Sequence, residues 1–322
     1  MAANHVRIVA TAPIDKVAVD ILEQFAPVVI SVSPDEATML GMLENTVGIV
    51  CRGEGRVTPA IIAACPTLQV IGRPGAGFDA VDLPSANARR IPVVIAPLGG
   101  FAVAEGALAL LLAIIKRVKW CDEVVKSGQW RKRYDAAAGD MAEHVLGIVG
   151  LGRIGAQLAK LAQPFGMTVL ACDPYTRAAA AGVPWVEDVS FPELLRRSDY
   201  VSLHVPLDGQ TRALINRESL SSIKRGAILI NTSRGAVIEN LDVLADALES
   251  GQLGAVGLDV FPTEPPDTSH RIFKDPRLIC APHWLGVSEL AMNRIYRSMA
   301  TDMVTVLKNG RPKFCANPEI LG

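Results

Sequence analysis

The chain has 322 residues, half of them hydrophobic and 20% charged. That length and composition suit about two globular domains with large cores and exclude a disordered polymer. Thirty-two basic and 33 acidic residues leave a net charge of −1, which removes the electrostatic footprint of a general nucleic-acid binder.

The first elements in the chain are short. Val6–Ala10, Val28–Val32, Gly48–Cys51, Val70–Gly72 and Pro92–Ile95 read as buried strands. Helices fit between them at Val17–Phe25, Glu36–Leu43, Pro59–Ala64 and Asp82–Ala88. Such alternation predicts βαβ units around a parallel sheet. Next comes Val103–Trp120, VAEGALALLLAIIKRVKW, apolar nearly all round. It reads as one buried helix, crossing between domains or covered by a second subunit. A second series follows, with strands at Val145–Val149, Thr168–Cys172, Tyr200–Leu203, Ala227–Asn231, Gly254–Asp259 and Leu278–Ala281. Its helices are expected at Ile154–Phe165, Phe191–Arg196, Arg217–Ser222, Asn240–Ser250 and Val287–Lys308.

The longest apolar run, residues 107–115, is far short of the ~20 residues that span a bilayer. MAANHVRIVATAP lacks the apolar core of a signal peptide and reads as a first strand. The six cysteines show no CxxC spacing, so buried free thiols in a reducing compartment are expected, and no metal site. These features predict a cytoplasmic protein with no membrane or nucleic-acid partner.

Gly150, Gly152 and Gly155 form GxGxxG, with Arg153 and Ile154 inside the turn. A β-branched strand precedes it and an amphipathic helix follows, the context of a dinucleotide-binding turn. The first glycine permits the tight turn, the second lets a pyrophosphate approach, and the third lets the helix pack closely. Asp173 ends the next strand, where a carboxylate accepts bonds from ribose hydroxyls and repels a 2′-phosphate, so NAD is expected over NADP.

Arg234, Glu264 and His283 follow later strands, and a parallel sheet gathers its strand ends at one edge. Arginine clamps a carboxylate bidentately. Histidine exchanges a proton with a ketone or alcohol near neutral pH, and a carboxylate beside it favours the imidazolium. Together these residues form a complete set for reducing a 2-keto acid.

The sequence resembles the D-isomer-specific 2-hydroxyacid dehydrogenases, with most likeness to the phosphoglycerate dehydrogenase and hydroxypyruvate/glyoxylate reductase branch. The resemblance rests on GRPGAGFDAVD at 72–82, GIVGLGRIG at 147–155, INTSRGAVI at 230–238, GLDVFPTEPP at 257–266 and APH at 281–283. It implies an α/β protein with a Rossmann NAD-binding domain (residues 101–288) inserted in a flavodoxin-like substrate domain (1–100 and 289–322). The expected activity is NAD-dependent interconversion of a 2-keto acid and a D-2-hydroxy acid in a cleft between the domains, whose closure expels water. By resemblance, Arg234 binds the substrate's carboxylate and keto oxygen, His283 is the general acid/base and Glu264 its partner. Asp259 contacts the nicotinamide carboxamide, His204 and Pro206 line the adenine end, and Thr211 and Thr232 lie near the cofactor. Gly75, Ala76 and Gly77 offer backbone N–H groups to the substrate carboxylate, with Arg52 as a further grip. A homodimer is expected.

The sequence departs from the family at Trp284-Leu285-Gly286, where a smaller residue and a glycine pair are usual, so Trp284 either narrows or rims the substrate pocket as a substrate-binding residue or packs away from it. Gly99-Gly100-Phe101 replaces a more polar stretch. Both departures weigh against phosphoglycerate as substrate, and an end at Gly322 predicts no C-terminal regulatory domain. NAD-sensing transcriptional corepressors share the fold and the triad and offer a binding-protein alternative with little turnover. Formate dehydrogenases fit poorly, because they place an amide where this chain has Glu264.

Overall fold

The structure is a computed structural model that describes residues 6–322; the part of the N-terminal reading that falls on residues 1–5 lies outside them. The chain divides into two compact units, one running up to Gly99 and resuming at Ser288–Gly322, the other Gly100–Val287.

The first unit runs β1 (Arg7–Ala10), α1 (Lys16–Leu22), β2 (Val28–Ile30), α2 (Glu36–Leu40), β3 (Thr46–Val50), α3 (Pro59–Ala64), β4 (Val70–Arg73), α4 (Leu83–Ala88) and β5 (Val93–Ile95). Its parallel sheet has the order β2-β1-β3-β4-β5, the doubly wound flavodoxin-like arrangement. Capping fixes the helix starts. The side chains of Asp15, Asp35, Thr58 and Asp82 each accept a backbone N–H of the first turn, offsetting donors that a helix leaves unpaired. The last helix, α11 (Glu289–Leu307), packs on α1 and β4. A Cβ at Gly72 would sit 2.2 Å from Met303 Sδ, so a glycine in β4 is what lets α11 lie directly on the sheet.

The second unit opens with α5 (Gly100–Ile115) and α6 (Val118–Lys126). The single helix expected over 103–120 is therefore two. Arg117 adopts a left-handed conformation (φ 53°), which cannot continue a right-handed helix, and its guanidinium stacks 4.7 Å from the Trp120 ring. The cover predicted for α5 comes from its own unit. Ala104, Ala107, Leu110 and Leu111 are buried, and α5 packs on α7 (Arg153–Ala162), β10 (Ala227–Asn231) and β11 (Leu253–Leu258). The remaining elements are β6 (Val145–Val149), β7 (Thr168–Cys172), β8 (Glu187–Asp188), α8 (Phe191–Arg197), β9 (Tyr200–Leu203), α9 (Arg217–Ser222), α10 (Leu241–Glu249) and β12 (Leu278–Cys280). The seven parallel strands run β12-β11-β10-β9-β6-β7-β8. Strand order reverses between β6 and β9, the point at which such sheets bind ligands beyond their C-terminal ends.

Expected buried thiols are found at Cys51 and Cys65, but Cys121 and Cys280 are exposed. Among the described residues, no helix is long and apolar enough to cross a membrane, and no group of three His, Cys, Asp or Glu is placed to hold a metal.

Candidate active site

Each glycine of the 150–155 turn has a distinct geometric reason. Gly150 has φ +93°, and a Cβ there would lie 2.7 Å from the His204 carbonyl oxygen. A Cβ at Gly155 would lie 2.1 Å from the Gly150 carbonyl oxygen, so α7 can begin this close to β6 only without a side chain. At Gly152, by contrast, a Cβ would meet nothing within 4 Å. Gly152 is the N-cap of α7 and supplies no capping side chain, so the first amides of the helix face this open space beside exposed Arg153. That is a cradle for a phosphate. Two buried polar atoms near the same sheet edge have no protein partner, His204 Nδ1 after β9 and Thr232 Oγ1 after β10, as expected for a crevice completed by a ligand. Burial pushes the His204 imidazole down to about 4, so the ring is neutral at pH 7, with Nε2 2.9 Å from Ser202 Oγ.

Asp173 lies beside the cradle and has structural work of its own. One carboxylate oxygen accepts the Leu151 N–H at 2.7 Å, and the other accepts those of Tyr175 (2.8 Å) and Thr176 (2.9 Å). Pro206 is exposed. The Thr211 hydroxyl closes its own loop by donating to the Pro206 carbonyl at 2.6 Å.

The ends of β10, β11 and β12 carry the reactive groups. His283 Nδ1 is 2.8 Å from Glu264 Oε2, and Glu264 Oε1 accepts the Phe261 N–H at 3.0 Å. Burial pushes the Glu264 carboxyl up, but the His283 and Phe261 bonds and the charges of His283 and Arg234 outweigh it and hold it below the usual range. An ionised carboxylate only accepts, so His283 Nδ1 carries the hydrogen and Nε2 is left for proton exchange. Arg234 extends from a turn caged by the fully buried Asn231, whose side chain accepts the Ser233 N–H (3.0 Å) and donates to the Arg234 carbonyl (2.9 Å). The Asp259 carboxylate accepts the Trp284 N–H at 2.8 Å and the Leu285 N–H at 3.2 Å. The Trp284 side chain is 57% exposed.

In the other unit, Arg52 and the 75–77 loop follow the adjacent strands β3 and β4. Gly75 has φ +115° with open space at its Cβ position, and its carbonyl accepts the Ala96 N–H at 2.7 Å. The Arg73 guanidinium donates to the Gly77 carbonyl at 3.2 Å and to the Cys51 carbonyl at 3.0 Å, tying Arg52's strand end to the loop. Arg52 stacks 6.0 Å from the Tyr296 ring and bonds the Pro13 carbonyl.

Sequence reasoning missed Arg73 and Asn231. A signal for both was available, because each places a polar side chain at the end of a short apolar strand (VIGR and AILIN).

A switch-point cradle for a dinucleotide, with an acid/base pair and an arginine along the same edge, defines a nucleotide-dependent dehydrogenase fold. The family model described as D-isomer specific 2-hydroxyacid dehydrogenase, NAD binding domain, matches residues 108–284. The chain is 34% identical over 308 residues to D-3-phosphoglycerate dehydrogenase of Methanocaldococcus jannaschii, covering 94% of this chain and 58% of that one. It is 33% identical to glyoxylate reductase of Thermofilum pendens, covering 89% of this chain and 86% of that one. The structure of D-lactate dehydrogenase from Aquifex aeolicus, complexed with NAD and lactic acid, superposes with a TM-score of 0.85 at 27% identity, covering 94% of this chain and 96% of that one. The chain belongs to the D-isomer specific 2-hydroxyacid dehydrogenase family, and its second unit carries the family's NAD-binding domain. It spans about half the length of several curated relatives it matches.

Proposed function

We propose that this chain interconverts a 2-keto acid and a D-2-hydroxy acid with NAD as cofactor. The observation that carries the reading is the 2.8 Å contact between His283 Nδ1 and Glu264 Oε2, made at the edge where Arg234 also emerges and Arg234's charge is felt by Glu264. The amides at the start of α7, between Gly152 and Gly155, would hold the pyrophosphate, with Arg153 and Ile154 beside them. Asp173 would take the ribose, and Thr232, His204, Pro206 and Thr211 would line the remainder of the crevice. NAD would supply or accept the hydride. His283 Nε2 gives a proton to the carbonyl oxygen in reduction and takes it back in oxidation. Glu264 stabilises the imidazolium and fixes its orientation, while Arg234 clamps the carboxylate and offsets charge developing on the oxygen. In the first unit, Arg52 and the amides of Gly75, Ala76 and Gly77 are donors suited to an anionic group. Trp284, exposed beside the base, limits substrate size.

The chain also pairs with a second copy. Val125, Trp130 and Tyr134 on and after α6 are all more than half exposed, an apolar face that association would cover.

The test is NADH oxidation with a panel of glyoxylate, hydroxypyruvate, pyruvate, 3-phosphohydroxypyruvate and bulkier or sulfonated 2-keto acids. At least one should turn over, and His283→Ala should lower kcat ~10²–10⁴-fold while NADH still binds. Unchanged turnover in that variant, or none in the parent with any acid, overturns the reading. Light scattering on the same preparation should give the mass of two chains.

A further inference from the structure

Beyond the general acid, its partner and the arginine, one buried acidic group stands directly behind His283. Asp259 is 3% exposed and directly follows β11. Its N–H donates to the Asn231 carbonyl at 3.0 Å, and its carbonyl accepts the His283 N–H at 2.7 Å. The ladder of β10, β11 and β12 thus continues past the strands into the residues that carry the chemistry. The Asp259 side chain goes further along the same segment, taking the amides of Trp284 at 2.8 Å and Leu285 at 3.2 Å. His283 itself has φ +54°, a left-handed conformation that a non-glycine residue keeps only where its surroundings impose it.

We propose that Asp259 is a positioning residue for the general acid/base: its carboxylate latches the backbone on the C-terminal side of His283 and thereby holds the imidazole against Glu264. The proposal rests on the function proposed above. A left-handed residue followed by two amides that point the same way forms a small concave nest for an anion, and the Asp259 carboxylate fills it. Further support comes from the opposite side, where a Cβ at Gly106 in α5 would lie 2.6 Å from Leu285 Cβ and one at Gly286 would lie 2.7 Å from Val103 Cγ2. The 284–286 segment is therefore held between α5 and Asp259. Family resemblance gives this aspartate to the nicotinamide carboxamide. The two roles predict different measurements, because a cofactor contact acts on NAD affinity and a latch acts on the base.

The experiment compares the full-length protein with Asp259→Asn and Asp259→Ala. Asparagine keeps one acceptor oxygen but turns an amide donor toward an N–H, and alanine removes both acceptors. Three quantities are read: kcat and KM at saturating NADH, the NADH dissociation constant by fluorescence, and hydrogen-exchange protection of the segment containing Trp284 and Leu285. A latch predicts kcat down ~10-fold in Asp259→Asn and ~100-fold in Asp259→Ala, the scale of a base displaced by about an ångström. Substrate KM and the NADH dissociation constant should stay within about twofold, and amide protection should fall in the same order as kcat. A tenfold weaker NADH affinity with kcat unchanged, or unaltered amide protection in both variants, overturns the proposal. If Asp259→Ala does not fold, Asp259→Asn decides on the same readouts. Should the parent turn over no 2-keto acid, the proposed activity fails, and amide protection alone still decides whether the latch exists.

Discussion

Replacing Glu264 by Gln keeps the shape of the side chain and removes its charge. Glu264 makes two bonds, accepting from His283 Nδ1 at 2.8 Å and from the Phe261 N–H at 3.0 Å, and one amide oxygen cannot replace both. Charges about 4 Å apart interact by about 1 kcal/mol in water and about 4 kcal/mol at the effective dielectric of a protein surface. The side chains of His283 and Glu264 are 52% and 38% exposed, so solvent screening puts the pair toward the lower figure. About 1.4 kcal/mol is a factor of ten in rate. Reduction passes a proton from His283 to the substrate, and losing the negative charge and one of the two bonds removes both the stabilisation and the orientation of the ring during that transfer. kcat for reduction at pH 7 should therefore fall ~10-fold in Glu264→Gln, with the NADH dissociation constant within about twofold. Steady-state NADH oxidation and a fluorescence titration measure these. Full kcat in the variant would show that Glu264 does not act on the base.

Asp173→Ala removes an acceptor for three backbone amides as well as the proposed ribose contact. It should weaken NAD binding about tenfold or more and narrow the preference for NAD over NADP, measured as dissociation constants for both; an unchanged ratio means another residue discriminates. Asp199, at the opposite end of the sheet, is held below the ordinary carboxylate range: burial opposes this, but Lys224 at 2.6 Å and the Val145 N–H at 2.9 Å prevail. A depressed carboxylate adds stability above its unfolded pKa and loses it as pH falls through the folded value. Asp199→Asn should thus lower Tm by roughly 2–4 °C at pH 7, with the difference shrinking toward pH 3. Equal losses at both pH values would refute the electrostatic account.

Period and spacing located the strands of both sheets except β8, because those strands are short apolar runs set between helices, a pattern that survives folding; the two residues of β8, Glu187 and Asp188, are exposed acids with no such pattern. They joined α5 to α6 because nothing in KRVKW breaks a helix; the left-handed turn at Arg117 comes from packing and from its contact with Trp120. Glu264 and His283 were legible as a pair because each is a reactive residue type just past a strand. What holds His283 in place was not, since the partners of Asp259 are backbone amides and an amide has the same chemistry whatever residue bears it. Asp173 shows the same limit: its position marked a ribose carboxylate, whereas its bonds to Leu151, Tyr175 and Thr176 became visible only with the turn in three dimensions.

Trp284 is anchored by its amide, and its indole is largely solvent-facing. Every residue type except proline has that amide, so the position tolerates exchange of its side chain without disturbing its neighbour. On the function proposed above, substrate size and proton chemistry are then set by adjacent residues through different parts of the chain, one through a side chain and the other through a backbone hold. A lineage, or an engineer, would vary the former one codon away from the latter.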